Sequence, residues 1–234
     1  MTKSSPMPQI FHKILLTLSL LAATLAQAQL SIEITGAGAN RIPVAITNFA
    51  GDAAAAQVVA STVRSDLERS GLFKLVDPAG ATLDENAQVN FGDWKNRGAD
   101  ALAAGSLARG ADGRMEARFR LYDTQKQVSL GGAVYVTGND QLRAAGHRIA
   151  DYIYEKLTGE KGVFSTRVAY VVKTGGQFRL QIADADGQGA VTALSSSEPI
   201  ISPVWSPDGS KLAYVSFEKK KPVIYVHTLA SGQR

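Results

Sequence analysis

The C-terminal third of the chain repeats itself. Arg167-Val168-Ala169-Tyr170-Val171 returns 44 residues later as Lys211-Leu212-Ala213-Tyr214-Val215, and Asp186-Gly187-Gln188 returns 45 residues later as Ser231-Gly232-Gln233. From Phe164 onward the pattern is strand-like throughout, and a period of that length filled with short strands is that of a β-propeller blade. One such unit cannot bury its own faces, so it gains a core only by stacking on a neighbour. Trp205-Ser206-Pro207-Asp208-Gly209 stands just before the second copy and has the chemistry of a tight hairpin. Pro207 fixes φ, Asp208 bonds to nearby backbone and Gly209 accepts φ > 0, while Trp205 is expected to wedge between blades. Residues 163–234 hold fewer than two periods, whereas propellers close with about four to eight blades. The sequence is therefore expected to end inside an array.

Before the repeats, from Gln29 to about Gly162, period two alternates with period 3.6. Leu30, Ile32 and Ile34 alternate with Ser31, Glu33 and Thr35, which predicts a short half-buried strand, and Ile42 to Phe49 predicts a second. Asp52 is placed to cap a helix with Ala55, Val59, Val63 and Leu67 on its buried face, Arg64, Ser65, Glu68 and Arg69 on the other, and Gly71 as its stop. Phe73 to Val76 resumes as strand, Asp93-Trp94-Lys95 suggests a short helix, and Ala101 to Leu107 a strand. Met115, Ala117, Phe119 and Leu121 then alternate with charged residues, and a hairpin partner runs from about Val128 to Val136. A last helix opens near Asn139 or Asp140, faces inward through Leu142, Ala145, Ile149, Ile153 and Leu157, and ends at Gly159. Helices interleaved with mostly hairpin-connected strands predict a small α/β sheet with helices packed on it.

Residues 1–28 read as an export leader. Lys3 and Lys13 flank an apolar run from Ile14 to Leu25, and Ala26-Gln27-Ala28 supplies the small-x-small cleavage pattern, so cleavage is expected after Ala28. Twelve residues rise only about 18 Å as a helix, short of a bilayer core of about 30 Å. Without the leader, 23 basic residues face 21 acidic ones, a net charge near +2, and no basic stripe interleaved with aromatics points to nucleic acid. Lys219-Lys220-Lys221, followed by Pro222, reads as a solvated hairpin loop.

The chain has no cysteine, which excludes disulfides, thiolate metal sites and thiol catalysis, and suits an oxidising compartment. His12, His147 and His227 are scattered and make no histidine-rich zinc site. Gly36-Ala37-Gly38 lacks the third glycine of a dinucleotide fingerprint, and a strand rather than a helix follows. Asp184-Ala185-Asp186-Gly187 has its glycine too early for a calcium loop and no bidentate Glu, so it reads as a hairpin turn. Ser106 lacks the Gly-x-Ser-x-Gly elbow. His147 sits two positions before core-facing Ile149, about 200° round the helix, so it is expected to face outward or cap a neighbour. His227 reads as a strand position in a blade, and Asp66, Glu68, Asp151 and Glu155 as solvated helix charges. No catalytic, cofactor-binding or metal-binding residues are expected.

Leu142-Arg143-Ala144-Ala145-Gly146-His147-Arg148-Ile149-Ala150-Asp151 leads into Tyr154-Glu155-Lys156-Leu157-Thr158-Gly159 and then Thr166-Arg167-Val168-Ala169-Tyr170-Val171. With Pro43-Val44-Ala45-Ile46 and Leu67-Glu68-Arg69-Ser70-Gly71-Leu72-Phe73, this succession resembles the N-terminal part of the TolB family. The resemblance implies an α/β domain of the anticodon-binding-domain type followed by a six-bladed propeller. It implies a periplasmic, non-enzymatic scaffold that links the inner-membrane protein TolA to the outer-membrane lipoprotein Pal, serving envelope integrity and constriction at cell division. In that family the mature N-terminus contacts TolA and switches with Pal binding, which maps onto Gln29, Leu30, Ser31, Ile32, Glu33, Ile34 and Thr35. An alternating terminal strand suits addition to a partner's sheet, but equally a strand of its own domain, and one segment can do both. Pal contacts lie largely on later blades and carry over to no residue here. Gly36-Ala37-Gly38-Ala39-Asn40 is more glycine-rich than the family pattern. A cofactor-free monomer, peripheral to the membrane through its partners, is expected. The alternative is an exported propeller-containing hydrolase whose catalytic domain would lie past residue 234.

Overall fold

The computed structural model describes residues 41–234. The leader, the expected strand Gln29–Thr35 and the glycine-rich residues 36–40 lie outside the described residues.

The apolar run after Arg41 forms two strands, β1 (Ile42–Ile46) and β2 (Asn48–Gly51), rather than the single one expected over 42–49. Thr47 separates them: its N–H and its buried hydroxyl both go to the Ala103 carbonyl, at 3.0 and 3.2 Å. Both halves still lie along one side of β5 (Ala101–Arg109), with Val44–Ile46 beside Ala101–Ala103 and Ala50–Gly51 beside Ser106–Leu107. Asp52 accepts the Ala55 N–H at 3.0 Å and starts α1 (Ala53–Arg69), which Gly71 ends at φ +74°. Arg64, expected on the solvent face, is instead half-buried over the Thr47 break. Its guanidinium donates to the carbonyls of Ile46 and Thr47 and to Asn48 Oδ1, at 2.8–3.1 Å.

β3 (Phe73–Val76) runs parallel to β1, and the short β4 (Thr82–Leu83) parallel to β2. β5, β6 (Met115–Asp123) and β7 (Val128–Thr137) form an antiparallel meander. The expectation of mostly hairpin-connected strands thus holds only for β5–β7. The other pairings are parallel: α1 carries the chain back over one face between β2 and β3, and the segment holding the short helix Phe91–Asn96 returns it along the other face before β5.

α3 (Leu142–Thr158) packs beside α1 on one face, around Val44, Ile46, Val59, Val63, Leu67, Phe119, Ile149 and Ile153. Each such buried aliphatic contributes roughly 1.5–3 kcal/mol against leaving it in water. The opposite face is closed by α2 (Phe91–Asn96), where Trp94 covers Ala45, Leu102, Ala104 and Tyr122.

Two three-stranded antiparallel sheets follow: β8 (Arg167–Thr174), β9 (Gln177–Asp184) and β10 (Val191–Ser196), then β11 (Ile200–Trp205), β12 (Lys211–Ser216) and β13 (Val223–Thr228). The sequence repeat matches β8 to β12 and β9 to β13. The turns match too: Asp184 N–H reaches the Gln188 carbonyl at 3.0 Å, as Thr228 N–H reaches that of Gln233 at 2.8 Å. One extra residue in the second turn accounts for the change of shift from 44 to 45. β8 is an edge strand whereas its counterpart β12 lies between two others, so the two sheets hold the same repeat cut at different points.

Leu180, Ile200, Leu212 and Tyr214 fill the space between the sheets. Trp205 packs against that cluster, under the Arg167 guanidinium at 4.7 Å, and Arg167 also donates to the Gly209 carbonyl at 2.9 Å. Ser206, Pro207, Asp208 and Gly209 (φ +68°) carry the chain from β11 to β12. Hydrogen bonds from Ser206 and then Ser210 hold the Asp208 carboxyl at about 2. Lys219–Lys221 occupy the loop from β12 to β13, where Lys220 pairs with Glu198. Among the described residues, no helix is long and apolar enough to cross a membrane.

Candidate functional site

Gly146 lets α1 and α3 approach closely. A Cβ there would stand 2.7 Å from Thr62 Cβ and 3.1 Å from the Val59 carbonyl oxygen. At that separation the next residue, His147, reaches across to α1: its Nδ1 lies 2.6 Å from Asp66 Oδ2, with the two side chains 2% and 1% exposed. His147 therefore does not face outward, and Asp66 is not a solvated helix charge. His147 does point away from Ile149, but that direction holds α1 and the first propeller sheet rather than water.

The β9–β10 turn closes the site from the other side. Asp186 pairs with Arg143, one helical turn before His147, and its carboxylate lies 3.8 Å from Arg69 Nη1. Asp184 Oδ2 lies 3.6 Å from His147 Nε2 and 3.9 Å from Arg143 Nε. Asp66 Oδ1 also accepts from Arg69 at 2.5 Å. Asp184-Ala185-Asp186-Gly187 is a hairpin turn, as its chemistry implied, yet its two carboxylates are turned onto α1 and α3.

Three carboxylates thus meet two guanidinium groups and one imidazole. Burial opposes charge on His147 most strongly. The hydrogen bond that His147 donates to Asp66, the Asp66 charge and then those of Asp186 and Asp184 outweigh it, so its pKa lies above the ordinary 6.5. Burial likewise opposes ionisation of Asp186, but the Gln188 N–H, Arg143 and His147 hold its carboxyl below the usual range. His147, Asp184 and Asp186 each offer an atom within 4.8 Å of the others, a spacing at which three groups could meet one cation. The Arg143 guanidinium, bonded to Asp186, already supplies positive charge there.

The connection between the two regions is held beside this cluster. Asp151, expected as a solvated charge, accepts the N–H groups of Phe164 (2.7 Å) and Ser165 (3.0 Å). Gly162 passes so close that a Cβ would lie 2.6 Å from Asp151 Cα. Phe164 then meets Tyr154 edge-on at 5.6 Å, and Tyr154 meets Phe73 at 5.9 Å. A cleft of about 210 Å³ lies along this seam, lined by Asp66, Arg69, Val163, Phe164 and Asp186 among others.

The remaining candidates lie apart. Ser106 sits within β5 and donates to Glu85 at 2.5 Å. His227 is buried in β13, where burial and then Arg234 lower its pKa. Glu68 and Glu155 are exposed, as expected. The partner-binding segment Gln29–Thr35 lies outside the described residues. Sequence reasoning missed the whole cluster. The signal that could have found it is Gly146 beside His147 in the middle of a helix, where glycine is costly unless another backbone must come close.

Two family models match successive parts of the chain. Residues 30–130 match the TolB amino-terminal domain and residues 154–234 the TolB beta propeller domain. The Tol-Pal system protein TolB of Dechloromonas aromatica (strain RCB) is 78% identical over 228 residues, 97% of this chain and 54% of that protein. That of Aromatoleum aromaticum is 60% identical over 221 residues, covering 92% and 52% respectively. The crystal structure of TolB from Acinetobacter baumannii matches 83% of this chain and 48% of its own length at 39% identity, with a TM-score of 0.74. The chain spans about half the length of the curated relatives it matches. The two family models, matched in succession along the chain, and these identities place the chain in the TolB family.

Proposed function

We propose that this chain serves the Tol–Pal system as part of a periplasmic, non-catalytic scaffold joining TolA to Pal, in support of envelope integrity and constriction at cell division. The observation that carries the reading is the 78% identity to a Tol-Pal system protein along nearly the whole chain. The charged junction suits a scaffold: its carboxylates and guanidiniums are spent on one another, and His147, at 2% exposure, meets Asp66 rather than a substrate. In this reading the leader is removed after Ala28, which frees Gln29–Thr35 to add as a strand to a TolA sheet edge. Pal is met on a propeller mouth formed largely by blades beyond β13.

A pull-down with the purified C-terminal domain of TolA tests this, with one chain starting at Gln29 and another at Gly36. Capture of the first alone supports the assignment. Equal capture of both removes Gln29–Thr35 from it, and capture of neither removes TolA as the partner.

A further inference from the structure

We propose that His147 is a proton-keyed latch between the α/β domain and the first propeller sheet, holding the Asp184–Gln188 turn against α1 and α3 when protonated and releasing it when neutral. The inference does not depend on which partners the chain binds.

The geometry carries it. The groups facing His147 are Asp66 and Arg69 from α1, Arg143 from its own helix, and Asp184 and Asp186 from the β9–β10 turn. With His147 neutral, three carboxylates face two guanidinium groups, with the side chains of Asp66, Asp186 and His147 buried and those of Asp184, Arg69 and Arg143 partly exposed. With His147 protonated the charges balance: Nδ1–H donates to Asp66, and Nε2 lies 3.6 Å from Asp184 Oδ2 and 3.5 Å from Arg143 Nη2. One added proton therefore strengthens a contact within the α/β domain and a contact across the junction together. A buried carboxylate without a balancing charge is costly, so loss of the proton weakens the seam at the turn, its less enclosed side.

The direction with pH follows from linkage. Folding raises the His147 pKa, so the stabilisation is complete below the ordinary 6.5 and is lost as pH rises through the folded value. The latch closes toward acid and opens toward alkali. Asp186, held ionised by its own partners, remains charged across that window.

The repeat supplies an internal control. Ser231-Gly232-Gln233 forms the equivalent turn after β13, with serine in place of the Asp186 carboxylate, and burial lowers the pKa of His227 in the strand before it rather than raising it. Hydrogen exchange followed by mass spectrometry, corrected for intrinsic rates, compares the amides of residues 185–188 with those of residues 230–233 at pH 6.0 and 8.5. Protection of the first turn is expected to fall roughly threefold or more with rising pH, while that of the second stays level. In His147→Gln, which keeps a hydrogen-bonding side chain but takes no charge, the first turn should sit at the lower level at both pH values. Equal pH response of the two turns, or an unchanged response in His147→Gln, overturns the latch. Should that variant fold poorly, NMR titration of the unaltered chain decides. The His147 Cε1–H must titrate above 6.5, and the Gly187 and Gln188 amides must follow the same midpoint. A midpoint at or below 6.5, or amides that ignore it, overturns it equally.

Discussion

Gly146 shows how one missing carbon sets a site. It brings α3 close enough to α1 for His147 and Asp66 to meet, and a methyl group there would press on the Thr62 side chain and the Val59 carbonyl and push the helices apart. Gly146→Ala should destabilise the chain by about 1–3 kcal/mol, read as a lower urea midpoint, despite the better helix propensity of alanine. Asp66→Asn keeps the shape and removes the charge. With both partners almost fully buried, the expected loss is roughly 3 kcal/mol. Because that carboxylate stabilises the protonated imidazole, the loss should be larger at pH 6 than at pH 8.5 in parallel urea titrations; an equal loss would mean that His147 does not change its charge between the two. Helical arithmetic placed His147 opposite Ile149 correctly and still misjudged its surroundings. A wheel gives the direction of a side chain, not what waits there, and the groups that wait belong to residues 66 and 184–186, far away in sequence.

At the scale of elements, much of the architecture was legible because each element carries its own period and its own ends. α1 runs from its Asp52 cap to Gly71, α3 stops at Gly159, and β6 alternates as its sequence does. Less legible was how elements meet. Thr47 reads as one more strand residue until its hydroxyl finds Ala103, and the parallel pairing of β1 with β3 follows from where α1 returns the chain. Asp151 belongs to the same class, a helix carboxylate whose partners are backbone N–H groups of the next segment. It joins α3 to the start of the first sheet, and Lys161 lies exposed between them. Asp151→Ala should leave two N–H groups without acceptors and loosen residues 160–165 by about 1–3 kcal/mol of local stability. Limited trypsin digestion should then cut after Lys161 several times faster than in the unaltered chain. Asp151→Asn, which retains one acceptor, should fall between them, and equal rates for all three would show that Phe164 and Gly162 hold the segment without it.

Across the whole molecule the contacts form a line: the α/β domain bears on the first sheet through the His147 cluster, and the first sheet bears on the second through β11 against β8 and β9. In such an arrangement stability is a sum of neighbour terms, so damage stays near where it is made. Trp205 tests this because it packs between the sheets beneath Arg167, and because the chain's other tryptophan, Trp94, is buried under the α/β sheet. Trp205→Ala should cost about 2 kcal/mol, less than a fully buried aromatic because the ring is partly exposed. The loss should appear as faster hydrogen exchange in β11 and β12. Trp94 is then the sole source of tryptophan fluorescence, and its urea midpoint should correspond to a change within about 0.5 kcal/mol, as for distant independent sites. A Trp94 transition shifted by the full cost would mean that the two sheets and the α/β domain unfold as one unit. The His147 seam would then transmit stability over the whole molecule rather than hold one turn.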